Sequence, residues 1–280
     1  MQLGVVILTH NEEKNLGNCI ASLDRLHHHL FVLDSGSSDA TIEIAQAAGA
    51  IVMEHPFDNY SAQRNRSQKM LPAGIEWVLH LDADERLTPD LVNEINELME
   101  SPSQGVDGYL FRKRTIFMDR WIRHGGHYPS YHLRLFRRSK GRCEDRLYDQ
   151  HFLVEGHVKR LRNDYEDVVA SDLKSWTERH ARWATLEADE ITNGSNSSQR
   201  IKARFLGSPI ERKRWLRERA LYKAPLFLGP LAYFLYRYFL RLGFLDGKEG
   251  LIFHFLQGCW YRFLVDAILY ERRISETKSR

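Results

Sequence analysis

Trp77-Val78-Leu79-His80-Leu81-Asp82-Ala83-Asp84-Glu85 decides the fold. Trp77 to Leu81 is a short, mostly apolar run that reads as a buried strand, and it stops abruptly at acids. Thr88-Pro89-Asp90 then opens a helix reaching about Glu100, a cap followed by proline in the first turn. The same alternation runs upstream. Leu3 to Leu8 is a strand ending in Thr9-His10-Asn11-Glu12-Glu13, and Leu16, Cys19, Ile20 and Leu23 follow at helical spacing. Leu30 to Leu33 is a second strand, ending at Asp34-Ser35-Gly36-Ser37-Ser38-Asp39. There Ser38 or Asp39 can cap a helix carrying Ile42, Ile44, Ala45 and Ala48, which Gly49 stops. Ile51 to Met53 gives a third strand, and Ser61 to Met70 a helix closed by Pro72.

Strands alternating with helices predict an α/β domain with a largely parallel sheet, and ligands of such sheets sit at the carboxyl ends of the strands. Here those ends carry Glu12 and Glu13, Asp34 and Asp39, and Asp82 and Asp84. Two carboxylates in a row of three can hold a hard divalent cation, Mg²⁺ or Mn²⁺, which in turn grips the phosphates of a nucleotide diphosphate. An acidic pair alone is weak support, because such pairs cap many surface helices. The acids at neighbouring strand ends strengthen it.

Beyond residue 105 the alternation breaks down. Tyr109 to Arg114 and His132 to Phe136 read as strands flanking the loop Trp121-Ile122-Arg123-His124-Gly125-Gly126-His127-Tyr128. Residues 171–193 read as a helix, and Gly194-Ser195-Asn196-Ser197-Ser198 as a linker. This divides the chain into a catalytic domain, 1–198, and a basic, amphipathic helical region, 199–280. A net charge of +3 is too small to indicate nucleic acid. Locally, however, residues 200–219 concentrate Arg and Lys, which suits an anionic membrane surface as well as a solvated helix face. Cys19, Cys143 and Cys259 fit no metal spacing and read as reduced packing residues of a cytosolic protein. Val5 to Leu8 is too short for the core of a signal peptide.

Residues 225–245 and 251–270 approach the length of a bilayer span but contain Pro, Arg and Asp. His254, Gly258, Arg262 and Asp266 recur every four residues as a narrow polar stripe. Each ionisable group inside a span costs roughly 2.5 kcal/mol or more. Helices lying in the membrane interface are therefore expected over spanning ones. A helical hairpin packed on the enzyme, or in a homo-oligomer, is the other reading.

The runs Ile7-Leu8-Thr9-His10-Asn11-Glu12-Glu13, Val32-Leu33-Asp34-Ser35-Gly36-Ser37-Ser38-Asp39-Ala40-Thr41 and Leu81-Asp82-Ala83-Asp84-Glu85, in that order and spacing, resemble the inverting family 2 glycosyltransferases of GT-A fold. The nearest subgroup is the bacterial lipopolysaccharide-core and exopolysaccharide transferases. The resemblance continues through Tyr131 to Arg137 and into the tail at Leu245-Asp246-Gly247 and Trp260-Tyr261-Arg262-Phe263. It implies that Thr9, Asn11 and Glu12 line the nucleotide pocket, Asp34 lies near base or ribose, and Arg64 near the diphosphate. Asp82 would support nucleotide and metal, and Asp84 would bind the metal directly. Many relatives have a second acid after the Asp34 equivalent, where this chain has Ser35. Uridine is thus a family-level expectation.

An inverting single displacement needs one general base at the acceptor hydroxyl. The resemblance offers Asp145 first, then Asp149, then Glu144. Arg142, Arg146 and Arg160 could instead pair these acids on the surface. Trp121, His124 and His127 mix an aromatic with donors, as saccharide-binding surfaces do, so the acceptor is expected there. Zinc is disfavoured, since two histidines without further ligands make no site. Arg134 and Arg137 could reach a phosphate of donor or lipid, or simply face solvent. The sequence thus reads as an enzyme joining a nucleotide-sugar donor to a saccharide acceptor, lipid-linked, at the cytoplasmic face of the inner membrane. A non-catalytic nucleotide-sugar-binding scaffold is the alternative. A nucleotidyltransferase is disfavoured because no glycine-rich, basic loop follows the first strand.

Overall fold

The computed structural model describes residues 2–101, 103–146, 149–169, 172–193 and 225–278, together with Leu206, Glu211, Arg212 and Trp215. The chain divides into two compact units. One comprises 1–116, 129–144 and 149–171, the other 117–128, 145–148 and 172–280. The expected linker at 194–198, the boundary at 198/199 and most of the basic stretch lie outside the described residues.

In chain order the strands are β1 (Gln2–Thr9), β2 (His29–Asp34), β3 (Ile51–Glu54), β4 (Ile75–Asp82), β5 (Glu85–Leu87), β6 (Val106–Phe117), β7 (Arg120–Ile122), β8 (Ser130–Arg137), β9 (Gly141–Cys143), β10 (Phe152–Val154) and β11 (His157–Val168). The first unit also contains helices α1 (Leu16–Ala21), α2 (Thr41–Ala47), α3 (Tyr60–Met70) and α4 (Pro89–Glu100). Its main sheet runs β3-β2-β1-β4-β8-β6-β11-β5. The four leading strands are mutually parallel. β8 is antiparallel to both neighbours, and β11 is parallel to β6. This is a mostly parallel GT-A-like sheet flanked by helices.

Burial explains the register. Val5, Ile7, Val32, Trp77, Leu79 and Leu81 point to one face and pack with Leu16 and Cys19 of α1, Leu23 just beyond it, and Leu91 and Ile95 of α4. Val6, Phe31 and Val78 point to the other face, against Leu71 and Ile75. A strand buried on both faces shows no polar alternation, which is why these runs were legible. Gly4 sits where a Cβ would come within 2.9 Å of the Ile75 side chain, so the β1–β4 approach requires glycine. The expected cap of α4 is present, with Thr88 Oγ1 accepting from Leu91 N. α3 begins one residue earlier than the expected Ser61, because Asn59 Oδ1 accepts from Ala62 N at 2.8 Å.

The second half of the first unit was harder to read. β6 and β11 are each 12 residues long, and the first four residues of β11 are exposed and largely polar. β5, β9 and β10 have three residues each, too few to show a period.

The second unit holds β7, α5 (Leu173–Asn193), α6 (Leu228–Leu235, continued by a π-helical turn to Leu240), α7 (Gly247–His254) and α8 (Tyr261–Lys278). A π-helical stretch, Phe255–Trp260, joins α7 to α8. Ala184, Tyr261 and Val265 form its core, with Trp183, Leu264 and Ile268 around them. The polar stripe of His254, Gly258, Arg262 and Asp266 faces inward, where interfacial helices would turn their polar side outward. His254 and Gly258 are buried, and Arg262 pairs with Glu187 of α5. Asp266 accepts from Phe227 N at 2.8 Å. Among the described residues no helix is long and apolar enough to cross a membrane.

Candidate nucleotide and metal site

The carboxyl ends of β1 and β2 are laced together by side chains. Asp34 is fully buried, and its carboxylate accepts from Thr9 Oγ1 at 2.8 Å, Gly36 N at 2.9 Å, and Ser37 N and Oγ at 2.7 and 2.6 Å. Gly36 takes φ 86°, which lets two consecutive amides turn onto one oxygen. Burial pushes the Asp34 carboxyl up. The donors from Ser37, Thr9 and Gly36 outweigh that and hold it below its ordinary value. Asn11, at φ 55°, donates its N–H to Ser37 Oγ and accepts from Ser38 N, both at 2.8 Å. Glu12 donates its N–H to Thr41 Oγ1 and accepts from Asn15 Nδ2. Thr9, Asn11, Glu12 and Asp34 therefore converge, and they shape the loop above the strand ends.

Asp82 ends β4 between two guanidinium groups. Arg64 of α3 reaches Oδ1 at 2.8 Å, and Arg134 of β8 reaches Oδ2 at 3.1 Å. Arg134 also pairs with Glu85. Burial disfavours the Asp82 charge, but the two arginines override it and hold the carboxyl far below the usual range. Glu85 goes the other way. Its burial and the nearby Asp82 and Asp167 carboxylates push it up to about 8, against the pull of Arg134. Two acids thus share one arginine, and Asp82 takes the charge. His80, two residues before Asp82 on the same strand, is held down to about 3 by burial and by Arg64 and Arg134. Its neutral ring packs on Phe152 and Phe136. Arg64 also lies 5.6 Å from the Phe152 ring centroid.

Asp84 follows on the turn into β5, and its carbonyl accepts from Val168 N at 3.0 Å. Among the described residues no cluster of three His, Cys, Asp or Glu could hold a metal by itself. Asp84 and Asp82 nevertheless fit Mg²⁺ or Mn²⁺ in the manner usual for small hard cations, with one or two carboxylates completed by phosphate oxygens and water. Both Asp82 oxygens face arginines, so in a loaded site Asp84 would be the direct ligand. Glu85, the carboxyl that shares Arg134, was missed in the sequence although it directly follows the motif.

The three acids expected near the acceptor differ in setting. The β9–β10 ladder docks on α3, where Asn65 exchanges hydrogen bonds with the Cys143 carbonyl and amide at 3.0 and 2.8 Å. Ser61 Oγ donates to the Glu144 carbonyl at 2.7 Å. The Glu144 side chain is 0% exposed, and its Oε1 accepts from His151 N at 2.8 Å and lies 3.2 Å from His151 Nδ1. Asp149 adopts φ 54°, a left-handed conformation Asp tolerates better than most, and its carbonyl lies 3.0 Å from His151 Nδ1. Asp145 belongs to the second unit, beside Arg146, whose guanidinium pairs with Glu190 at 2.5 Å. His151 was also missed; a histidine seven residues after Glu144 carries no local periodic signal.

The loop expected to bind acceptor lies in the second unit. Trp121 and Tyr128 meet edge to face at 5.0 Å, with Arg123 over Trp121. Asp246 accepts from His124 N at 2.9 Å and lies 2.6 Å from its Nδ1. Arg237 Nε donates to the Gly125 carbonyl, and Gly125 N to the Arg241 carbonyl. His127 packs against Phe253 at 4.7 Å.

With this geometry, comparisons with known proteins become specific. The family model described as glycosyl transferase family 2 matches residues 4–163, and the chain belongs to that family. An uncharacterized glycosyltransferase of Rickettsia typhi is 34% identical over 109 residues, 39% of this chain and 36% of that protein. The chain thus matches little more than a third of that relative's length. The lipopolysaccharide core biosynthesis glycosyltransferase LpsC of Rhizobium meliloti is 28% identical over 278 residues, 97% of this chain and 93% of its own. Among solved structures, S. aureus TarS in complex with UDP-GlcNAc is 13% identical, with TM-score 0.48 over 98% of this chain and 92% of that one.

Proposed function

We propose that the chain transfers a sugar, with inversion, from a nucleotide diphosphate donor, a UDP-sugar, to a lipid-linked or lipopolysaccharide-type saccharide. The observation that carries this reading is the convergence of Arg64, Arg134 and Asp82 beside Asp84, at the strand ends where Thr9 and Asp34 shape a second polar loop. Cationic side chains and a metal can together hold a diphosphate, and residues suited to both roles meet here beside the end of β4. Asp84, aided by Asp82, would hold Mg²⁺ or Mn²⁺. When bound, the cation would neutralise the charge that grows on the departing diphosphate. Arg64 and Arg134 would orient the phosphates, while Thr9, Asn11, Glu12 and Asp34 would frame the nucleoside. The near full-length likeness to LpsC supports a saccharide acceptor of the lipopolysaccharide-core type.

We also assign the second unit to the cytoplasmic membrane surface. Phe239, Leu240, Leu242, Phe244 and Leu245 are all more than 40% exposed within a stretch of seven residues. Such a cluster beside arginines suits shallow insertion among anionic headgroups. Release of UDP from a panel of UDP-sugars, with Mg²⁺ and Mn²⁺ compared, tests the enzymatic reading. Metal-dependent release with at least one donor is expected. Binding of UDP with no release from any nucleotide sugar would leave the scaffold alternative and reject the transferase.

A further inference from the structure

Glu144 poses a difficulty as the acceptor-side base. Its side chain is 0% exposed, so no acceptor hydroxyl can reach it, whereas His151, which it holds, is 17% exposed. His151 Nδ1 lies 3.2 Å from the Glu144 carboxylate and 3.0 Å from the Asp149 carbonyl, both oxygen acceptors. A carbonyl can only accept, so Nδ1 carries the proton and Nε2 holds the lone pair of the neutral ring. Glu144 Oε1 also accepts from the His151 amide at 2.8 Å, fixing the backbone that carries the ring.

Two short paths tie this ring to Asp82. Phe152, the next residue, lies against Arg64, which grips Asp82. His132 stacks on His151 at 6.4 Å with an 18° interplanar angle, and it sits two residues before Arg134 on β8, which also grips Asp82. The ring therefore belongs to the same end of the sheet as the diphosphate anchor.

We propose that His151, oriented by the positioning residue Glu144, is the general base of the transfer reaction. The inference rests on the donor reading above. The acceptor hydroxyl oxygen bonds to the anomeric carbon, and the bond from that carbon to the diphosphate oxygen breaks, its electron pair leaving with the diphosphate. The hydroxyl proton passes to His151 Nε2. The imidazolium so formed faces the Glu144 carboxylate and later returns its proton to solvent. An imidazole is well matched to such a transfer near neutral pH.

The test uses the full chain, Mn²⁺ and whichever UDP-sugar the wild type turns over fastest. His151→Ala should lower kcat on the order of 10²- to 10⁴-fold, the usual contribution of a general base. UDP affinity, measured by calorimetry, should stay at the wild-type value. Added imidazole should restore part of the rate to His151→Ala but none to Asp84→Ala. Glu144→Gln should lower kcat without changing UDP affinity. In ¹⁵N-histidine spectra, with the His151 signal identified by its loss in His151→Gln, the neutral ring should carry its proton on Nδ1. A His151→Ala enzyme at full rate, loss of UDP binding together with turnover, or a proton on Nε2 would each overturn the assignment. A wild-type chain that binds no UDP would instead sink the donor reading, and this one with it.

Discussion

Asp84 and Glu85 are adjacent acids with opposite assignments, and each gives a prediction. Asp84→Ala should reduce metal-dependent UDP release on the order of 10²- to 10³-fold, matching the several kcal/mol a bound cation supplies at a developing charge. Titrating Mn²⁺ against the rate in wild type and variant checks it. Equal Mn²⁺ dependence in both would move the ligand elsewhere. Glu85 gives a stability prediction. Its carboxyl, raised from an ordinary 4.5 to about 8, favours the protonated form in the folded chain. That contribution is complete below about pH 4.5 and is lost as pH rises through about 8. Wild type should therefore lose thermal stability between about pH 4.5 and 8, while Glu85→Gln, which cannot ionise, shows a flatter profile over that range. Parallel profiles would mean that Glu85 ionises alike in the folded and unfolded chain. Asp82 behaves in the opposite sense, its lowered carboxyl contributing above its ordinary range and failing only in acid.

Among the elements, α3 positions the most chemistry for its length. It carries Arg64 to Asp82, Asn65 and Ser61 to the β9–β10 ladder, and Gln63 to the Ser35 hydroxyl. Its start depends on Asn59, so Asn59→Ala should cost about 1 kcal/mol, whereas Asn59→Asp retains most of the cap. Chemical denaturation measures this, and an unchanged midpoint would show that tertiary contacts alone fix the helix. The parallel strands β1, β2 and β4 were legible because burial on both faces leaves uninterrupted apolar runs, and their acidic ends followed directly. The Arg64–Asp82–Arg134 arrangement was not legible as a unit, because α3, β4 and β8 are brought together only by sheet order. β8 sits beside β4 although β5, β6 and β7 intervene in sequence. Glu144 and His151 escaped for a similar reason. Their pairing depends on a ladder of three-residue strands, β9 and β10, whose cross-strand contacts leave no periodic trace.

For the molecule as a whole, the first unit holds the residues proposed to bind the donor, and the second carries an exposed apolar surface. Exchanging Phe239, Leu240 and Leu245 together for serine should sharply reduce co-sedimentation with vesicles containing anionic phospholipid, while circular dichroism of the variant stays that of a folded chain. Unchanged co-sedimentation would place the membrane contact elsewhere. The polar stripe of α7 and α8 was visible in the sequence, but its direction was not. Only Glu187 on α5 and the Phe227 amide reveal that it faces inward. The measurement closest to the central claim is calorimetric titration of UDP into the full chain, with and without Mn²⁺. The account predicts binding that is strengthened by the ion in wild type and loses that strengthening in Asp84→Ala. UDP binding that ignores Mn²⁺ in both proteins, or no binding in either, would contradict it.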